Sequence, residues 1–144
     1  YEIAQCLVGS EMCIRDRKAC AEMAIQYATD DELKFLQELT EEHVAKAEGS
    51  TYQEYSEMNM DFHMSVAYLS RNRYLVSALE NVLNNLRRVF VREWKSSGAT
   101  ALLEAHMELV HVLIKRDVEQ AKQYVARELE GAEYRIYFRD TRGY

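Results

Sequence analysis

Apolar residues recur at intervals of three and four along most of the chain, which is the spacing of one face of an α-helix. The connections between these stripes are mostly two to six residues long, so successive helices are expected to be antiparallel neighbours. The pattern therefore predicts an all-α fold, a single antiparallel bundle of six or seven helices over residues 18 to about 138. The predicted helices cover 18–28, 30–48, 52–70, 72 to about 94, 101–115 and the stretch from Asp117 onward.

Polar residues at the edges of these stripes predict where the helices begin and end. Thr29 with Glu32, and Thr51 with Glu54, have the spacing of capping boxes at the starts of the second and third helices. Asn72 is placed to cap a long fourth helix. The segment KSSGAT, 95–100, is the clearest predicted loop, and the absence of proline argues against strands and hairpins.

Composition limits the classes of protein that fit this pattern. A chain of 144 residues with 48% hydrophobic residues suits one domain with its own core. A net charge of −6 and no basic stripe argue against nucleic-acid binding by this chain itself. No apolar run approaches the roughly 20 residues needed to cross a bilayer. Three cysteines without a CxxC pair favour a reducing compartment, so a cytoplasmic location is expected.

The beginning of the chain needs separate treatment. The segment CLVGSEMCIRDR, 6–17, resembles translated sequencing-adapter read-through, and an ordinary helical lead-in is the alternative. We therefore divide the chain into a non-native lead-in at 1–17, a helical domain at 18–138 and a C-terminal tail at 139–144. The native protein is expected to have continued upstream.

A few polar side chains interrupt the apolar stripes and would point into the core. The histidines and the amide could be hydrogen-bonded core residues, and Glu128 could extend to the rim of the core. Together, two imidazoles, a carboxylate and an amide oxygen could also bind zinc, nickel, manganese or iron. His43 and His111 lie outside the stripes and are expected to face solvent. The interrupting residues are Asn59, His63, His106 and Glu128.

Two segments together resemble a known family. FHMSVAYLSRNRYL, and then EAHMELVHVLIKRDVEQAKQYVARELE, are similar to the FCD domain, the effector-sensing C-terminal half of FadR-subfamily GntR transcription regulators. The opening KACAEMAIQYATDDEL also resembles the first helix and cap of that family. The similarity covers residues 18 to about 130. The matching positions are Phe62, His63, Asn72, Leu75, His106, Asp117, Ala121 and Leu129.

The resemblance implies a sensor and not an enzyme. It places the metal ligands on Asn59, His63, His106 and Glu128, where Asn59 replaces the family's usual aspartate and Glu128 its last histidine. The ion would be zinc, nickel or manganese, with open positions for the carboxylate of a small organic acid. Arg87, beside the stripe of the fourth helix, is the candidate partner of that carboxylate.

The resemblance also implies partners. Relatives in the family carry a winged helix-turn-helix domain before this one, and two copies bind a palindromic operator. We therefore expect a homodimer that reaches DNA only through an N-terminal domain missing from this chain, with no membrane contact. An aromatic-rich tail, Tyr134, Tyr137 and Phe138, adds a weak physical reason for dimerisation.

Two alternatives stay open at the level of sequence. One is a metal-free helical module that only dimerises, with the four polar groups bonded to each other. The other is a ferritin-like di-iron protein, for which ELVH, 108–111, supplies one Glu-x-x-His motif. No second such motif is found, which weakens the di-iron reading.

Overall fold

The structure is a computed structural model that describes the backbone of residues 2–128 and the side chains of residues 14–128. It confirms the all-α prediction over this range, which contains no strand. The predicted continuation to residue 138 and the aromatic tail lie outside the described residues. The helices are α1 (Glu2–Tyr27), α2 (Asp30–Ala47), α3 (Tyr52–Leu69), α4 (Arg73–Asn85), α5 (Arg87–Lys115) and α6, described over 118–128.

The predicted helix caps form as expected. The Thr29 hydroxyl accepts the backbone N–H of Glu32 at 3.2 Å, and the Glu32 carboxylate accepts the N–H of Thr29 at 2.9 Å. Thr51 and Glu54 form the same reciprocal pair at the start of α3. The Asn72 side chain accepts two backbone N–H groups in the first turn of α4. Local side-chain chemistry therefore sets the starts of three helices.

The boundary between the fourth and fifth helices lies at a different place in the structure than the sequence predicted. The helix breaks at Leu86, between α4 and α5, and then continues through 95–100, where a loop was predicted. Only Gly98, with φ 79° and ψ 158°, departs from helical geometry there, and it kinks α5. The apolar stripe continues across Leu86, which is itself buried, so periodicity could not reveal that break.

The helices enclose one large core and a smaller cluster beside it. α1 packs against α3 and α4, whereas α2 packs against α5 and α3, so these consecutive helices have different main partners. The smaller cluster is built on Ala47, Tyr55, Ala99 and Leu103. The large core draws on all six helices and includes Cys20, Ala24, Leu36, Phe62, Val66, Leu79, Leu83, Leu109, Leu113, Ala121 and Val125.

Arg116 ties the end of α5 to the end of α1. Its backbone is left-handed, with φ 56°, and terminates the helix. Its guanidinium donates to the carbonyl oxygens of Ile25 at 2.7 Å and Ala28 at 2.8 Å, and to the carboxylate of Asp30 at 2.9 Å. The adjacent Asp117 accepts the backbone N–H at position 120 and caps α6, as predicted.

Candidate metal centre

The packing of α3 on α5 brings two buried histidines together. His63 lies on the buried face of α3 and His106 on that of α5, with side chains 3% and 2% exposed. Their ring centroids are 5.0 Å apart, and the rings meet at 76°. Asn59 is also buried and lies one helical turn before His63 on the same face. Two of the predicted ligands therefore meet in the core, with a third beside them.

Glu128 completes a cluster of three ligand atoms. One nitrogen of His63, one nitrogen of His106 and one carboxylate oxygen of Glu128 all lie within 4.8 Å of one another. Donor atoms around a tetrahedral ion are roughly 3–3.5 Å apart. Side-chain adjustments of about an ångström would therefore bring the three donors to one ion, and their chemistry fits a divalent metal.

Phe62 fixes the plane of the His106 ring. The two rings are stacked, with centroids 4.0 Å apart and planes 8° from parallel, while Phe62 meets His63 edge-on at 5.4 Å. Phe62 is fully buried. Its contact with both imidazoles restricts their rotation. The sequence did not predict this positioning role, although Phe62 stood on the same stripe next to His63.

An arginine from α1 also lies at the cluster. The sequence did not predict this position for it. The side chain of Arg17 is 5% exposed, and its guanidinium Nη2 lies 2.7 Å from Oε2 of Glu128. Arg17, His63 and Cys20 line a small cavity of about 10 Å³, together with apolar side chains from α3 to α6. That is about the space of one water molecule.

Burial and charge keep the two imidazoles neutral. Burial lowers the pKa of His63 well below its usual value, and the charge of Arg17 and the neighbouring His106 lower it further. Burial also lowers the pKa of His106 to about 3, with Arg17 and His43 adding to the effect. A neutral imidazole has a free lone pair, so both rings can bind a metal at neutral pH.

Among the residues that the structure describes, one nitrogen of His106 has no hydrogen-bond partner. Nδ1 of His106 is fully buried, and an unsatisfied buried polar atom is costly. Close by, the hydroxyl of Tyr124 on α6 donates to the carbonyl oxygen of Ala105, which precedes His106. This bond ties α6, the helix that carries Glu128, to the turn of α5 that carries His106.

His43 is buried, and the expectation that it faces solvent was wrong. It is 5% exposed and lies on the α2 face formed by positions 33, 36, 40, 43 and 47, whose regular spacing was the signal that could have revealed it. Burial lowers the pKa of His43, whereas Asp61 and Glu42 oppose that shift. His43 also borders a groove of about 600 Å³ between α2 and α3. His111 is exposed, as expected.

Arg87, the predicted partner of an effector carboxylate, has an exposed side chain at the start of α5. Its backbone carbonyl oxygen accepts the hydroxyl of Tyr52 at 3.3 Å. Arg87 does not line the small cavity, whereas another arginine, Arg17, does. The role of Arg87 therefore stays a prediction.

Comparison with known proteins agrees with this architecture. A family model described as the FCD domain matches residues 18–131. Among solved structures, E. coli McbR/YncC is similar, with a TM-score of 0.71 at 18% sequence identity. The alignment covers 94% of this chain and 64% of that one, so this chain spans less than two thirds of its length. No curated protein matches the sequence significantly. Within the described residues, no helix has the length and apolar character to cross a membrane.

Proposed function

Since the chain belongs to the FCD domain family, the effector-sensing domain of GntR-type transcription regulators, we propose that it senses a small organic acid through a bound divalent metal. The observation that carries this proposal is the meeting of His63, His106 and Glu128, from three different helices, within 4.8 Å. Asn59 is the weaker fourth ligand. The role is sensing and not catalysis.

The donor set favours zinc, nickel or manganese. Two neutral imidazoles and one carboxylate give the set of metal ligands a single negative charge. The amide oxygen of Asn59 would add a neutral donor. The buried Nδ1 of His106, which has no hydrogen-bond partner within residues 14–128, is an available donor atom. Phe62 holds the ring of His106 in place, so little rotational freedom would be lost on binding.

The effector would take an open position on the metal through its carboxylate, as substrates do on catalytic zinc. The cavity beside His63 holds only about 10 Å³, far less than an organic acid needs. Entry of the acid into this space would therefore require the surrounding side chains or helices to move. Movement of the helices would link effector binding to the equilibrium between two arrangements of a regulator.

Family membership supports a proposal for the remaining partners. We propose that the chain acts as a homodimer in the cytoplasm and that DNA is contacted through a winged-helix domain outside this sequence. Arg87 is retained as a candidate contact for the effector. Because Arg87 is exposed at the start of α5, it would contact the acid from outside the buried cluster.

Metal content measured after purification and dialysis tests the proposal. We expect about one ion per chain, bound stoichiometrically. His106→Ala should abolish that binding and leave the helical circular dichroism signal nearly unchanged, because a core of this size does not need the ion to fold. His111→Ala, an exposed histidine five residues later on the same helix, is the matched control and should bind normally.

A second variant tests the fourth ligand. Asn59→Asp should bind the metal more tightly, because it adds an anionic oxygen next to the imidazoles. If the wild-type chain and Asn59→Asp both fail to bind any divalent ion, the metal-free dimerisation module becomes the better description. Two ions per chain would instead indicate a di-iron site. That reading is disfavoured because Glu108 and His111, the ends of the Glu-x-x-His motif, are both exposed.

A further inference from the structure

A groove on the surface lies apart from the candidate metal centre. It runs between the C-terminal half of α2 and the N-terminal half of α3, measures about 600 Å³ and is open to solvent. None of the four candidate metal ligands lines it. Sites for small molecules are typically clefts of roughly 300–1,000 Å³. The groove therefore has the size of a small-molecule site, and the proposed metal-dependent function does not use it.

The lining of this groove is strongly acidic. It contains five carboxylates and a single ammonium group, that of Lys46, which leaves a formal excess of four negative charges. Lys46 is already paired with a carboxylate of its own helix at 2.5 Å. Within residues 14–128, no ion pair neutralises the carboxylates at positions 48, 57 and 61. The five acidic residues are Glu42, Glu48, Glu54, Glu57 and Asp61.

A buried histidine gives the groove a feature that a merely acidic surface lacks. His43 lines the groove but is only 5% exposed, and its Nδ1 is fully buried with no hydrogen-bond partner among the described residues. A buried polar atom without a partner is costly. Burial lowers the pKa of His43, so the imidazole is neutral at pH 7 and one ring nitrogen can accept a hydrogen bond. A positively charged ligand with N–H groups matches both this imidazole and the carboxylates.

We propose that the groove between α2 and α3 binds a linear organic cation of the polyamine class. Its ammonium groups would pair with carboxylates of both helices, and one N–H would donate to His43. The acidic residues are spread along the groove, since Glu54 and Asp61 lie about 10 Å apart along the axis of α3. Leu39 and Met58, which also line the groove, offer apolar contacts to the methylene units between ammonium groups.

The geometry favours an extended cation over the other cationic ligands. A metal ion needs several donor atoms around one point. Among the described residues, the group of His, Cys, Asp and Glu side chains with that geometry is the cluster of His63, His106 and Glu128, outside the groove. A stable protein partner would cover a much larger surface, since specific interfaces bury at least about 1,000 Å² in total.

Calorimetric titration of the full chain with spermidine, a linear triamine, tests the proposal. We expect one molecule per chain and weaker binding as the salt concentration rises. Glu57→Gln/Asp61→Asn should lower the affinity about tenfold or more, because two charged contacts are lost. Glu38→Gln/Glu104→Gln is the matched control. It removes two exposed carboxylates outside the groove, so the net charge changes equally, and it should keep the wild-type affinity.

Two variants at the buried position test the contact with the imidazole. His43→Leu removes both ring nitrogens and should lower the affinity for spermidine about tenfold. His43→Gln keeps a hydrogen-bond acceptor and should bind more tightly than His43→Leu. The melting temperature of each variant shows whether it folds. Because Glu57 and Asp61 are exposed, their double variant keeps the test decisive if His43→Leu does not fold.

The remaining outcomes would overturn the proposal. Equal affinities in the two double variants, or displacement of spermidine by Mg²⁺ at the same concentration, would mean that net charge alone attracts the ligand. Tighter binding of a lysine-rich peptide than of spermidine would assign the groove to a protein partner instead. Absence of spermidine binding would reject the site. His106→Ala should leave spermidine binding unchanged, so this inference and the proposed metal site can fail separately.

Discussion

At the scale of single residues, the core keeps two histidines neutral at pH values below about 6.5, where the unfolded chain would protonate them. His106 is fully enclosed, stacked on Phe62 and exposed to the charge of Arg17, and its pKa is lowered to about 3. His63 is shifted in the same direction for the same reasons, with burial first. These shifts make both rings ready to bind a metal, and they also make the fold sensitive to acid.

Acid should lower the free energy of unfolding. Between the unfolded pKa near 6.5 and the folded pKa near 3, the unfolded state binds a proton at His106 and the folded state does not. Stability is therefore fully present above pH 6.5 and falls as the pH decreases toward 3. The contribution of His106 alone should be about 2 kcal/mol lost between pH 7 and pH 5.

Urea denaturation at pH 7 and pH 5, in the presence of a chelator, measures this loss. His106→Gln removes the titrating group, so the difference between the two pH values should shrink by about 2 kcal/mol. His111→Gln, which changes an exposed histidine on the same helix, should keep the full difference. An unchanged pH dependence in His106→Gln would show that His106 is not held neutral by the fold.

At the scale of helices, side chains at the ends decide where each helix begins and how it joins the next. The capping boxes at Thr29 and Thr51 act within a few residues, so sequence spacing alone revealed them. Arg116 acts over a longer range: it ends α5 and reaches the carbonyl oxygens of Ile25 and Ala28 at the end of α1. Those carbonyl groups have no partner within their own helix.

Arg116→Ala should therefore lower the free energy of unfolding by about 1–3 kcal/mol, because two backbone carbonyl groups lose a charged donor. Lys115→Ala removes an exposed positive charge from the adjacent position and is the control, with an expected change below about 0.5 kcal/mol. The comparison is made by chemical denaturation at neutral pH. Equal effects in the two variants would mean that the hydrogen bonds of the Arg116 guanidinium add nothing to the free energy of unfolding beyond the effect of a positive charge at the helix end.

At the scale of the whole molecule, the fold places the cluster where several helices meet. α3 supplies Asn59 and His63, α5 supplies His106, α6 supplies Glu128, and α1 supplies Arg17. A change in the position of any of these helices would alter the distances between the donors. The site is thus suited to report on, or to drive, a rearrangement of the bundle.

The assembly prediction also belongs to this scale. We expect light scattering at tens of micromolar to give a mass of twice 16.9 kDa, for a homodimer. The expectation rests chiefly on family membership, and large exposed side chains such as Phe35, Tyr68 and Tyr74 give it some physical support. A dilution series distinguishes a stable dimer from a weak one. A monomer at every concentration would contradict the prediction.

The sequence by itself determined the helical class, the caps, and the faces that carry His63 and His106. These features depend on residues three or four positions apart, so their physical causes lie within a single helix. The sequence also indicated that polar groups enter the core. The break at Leu86 could not be predicted, because the apolar stripe continues through it. At 95–100 a loop was predicted, whereas the structure has a helix that is kinked at Gly98.

Only the tertiary structure decided which of these polar groups meet. The distance between His63 and His106 depends on how α3 packs on α5, and the contact between Arg17 and Glu128 joins residues 111 positions apart. No local pattern encodes such a pairing, because it arises from the packing of whole helices. The buried environment that keeps the imidazoles neutral has the same origin, since desolvation is a property of the assembled core.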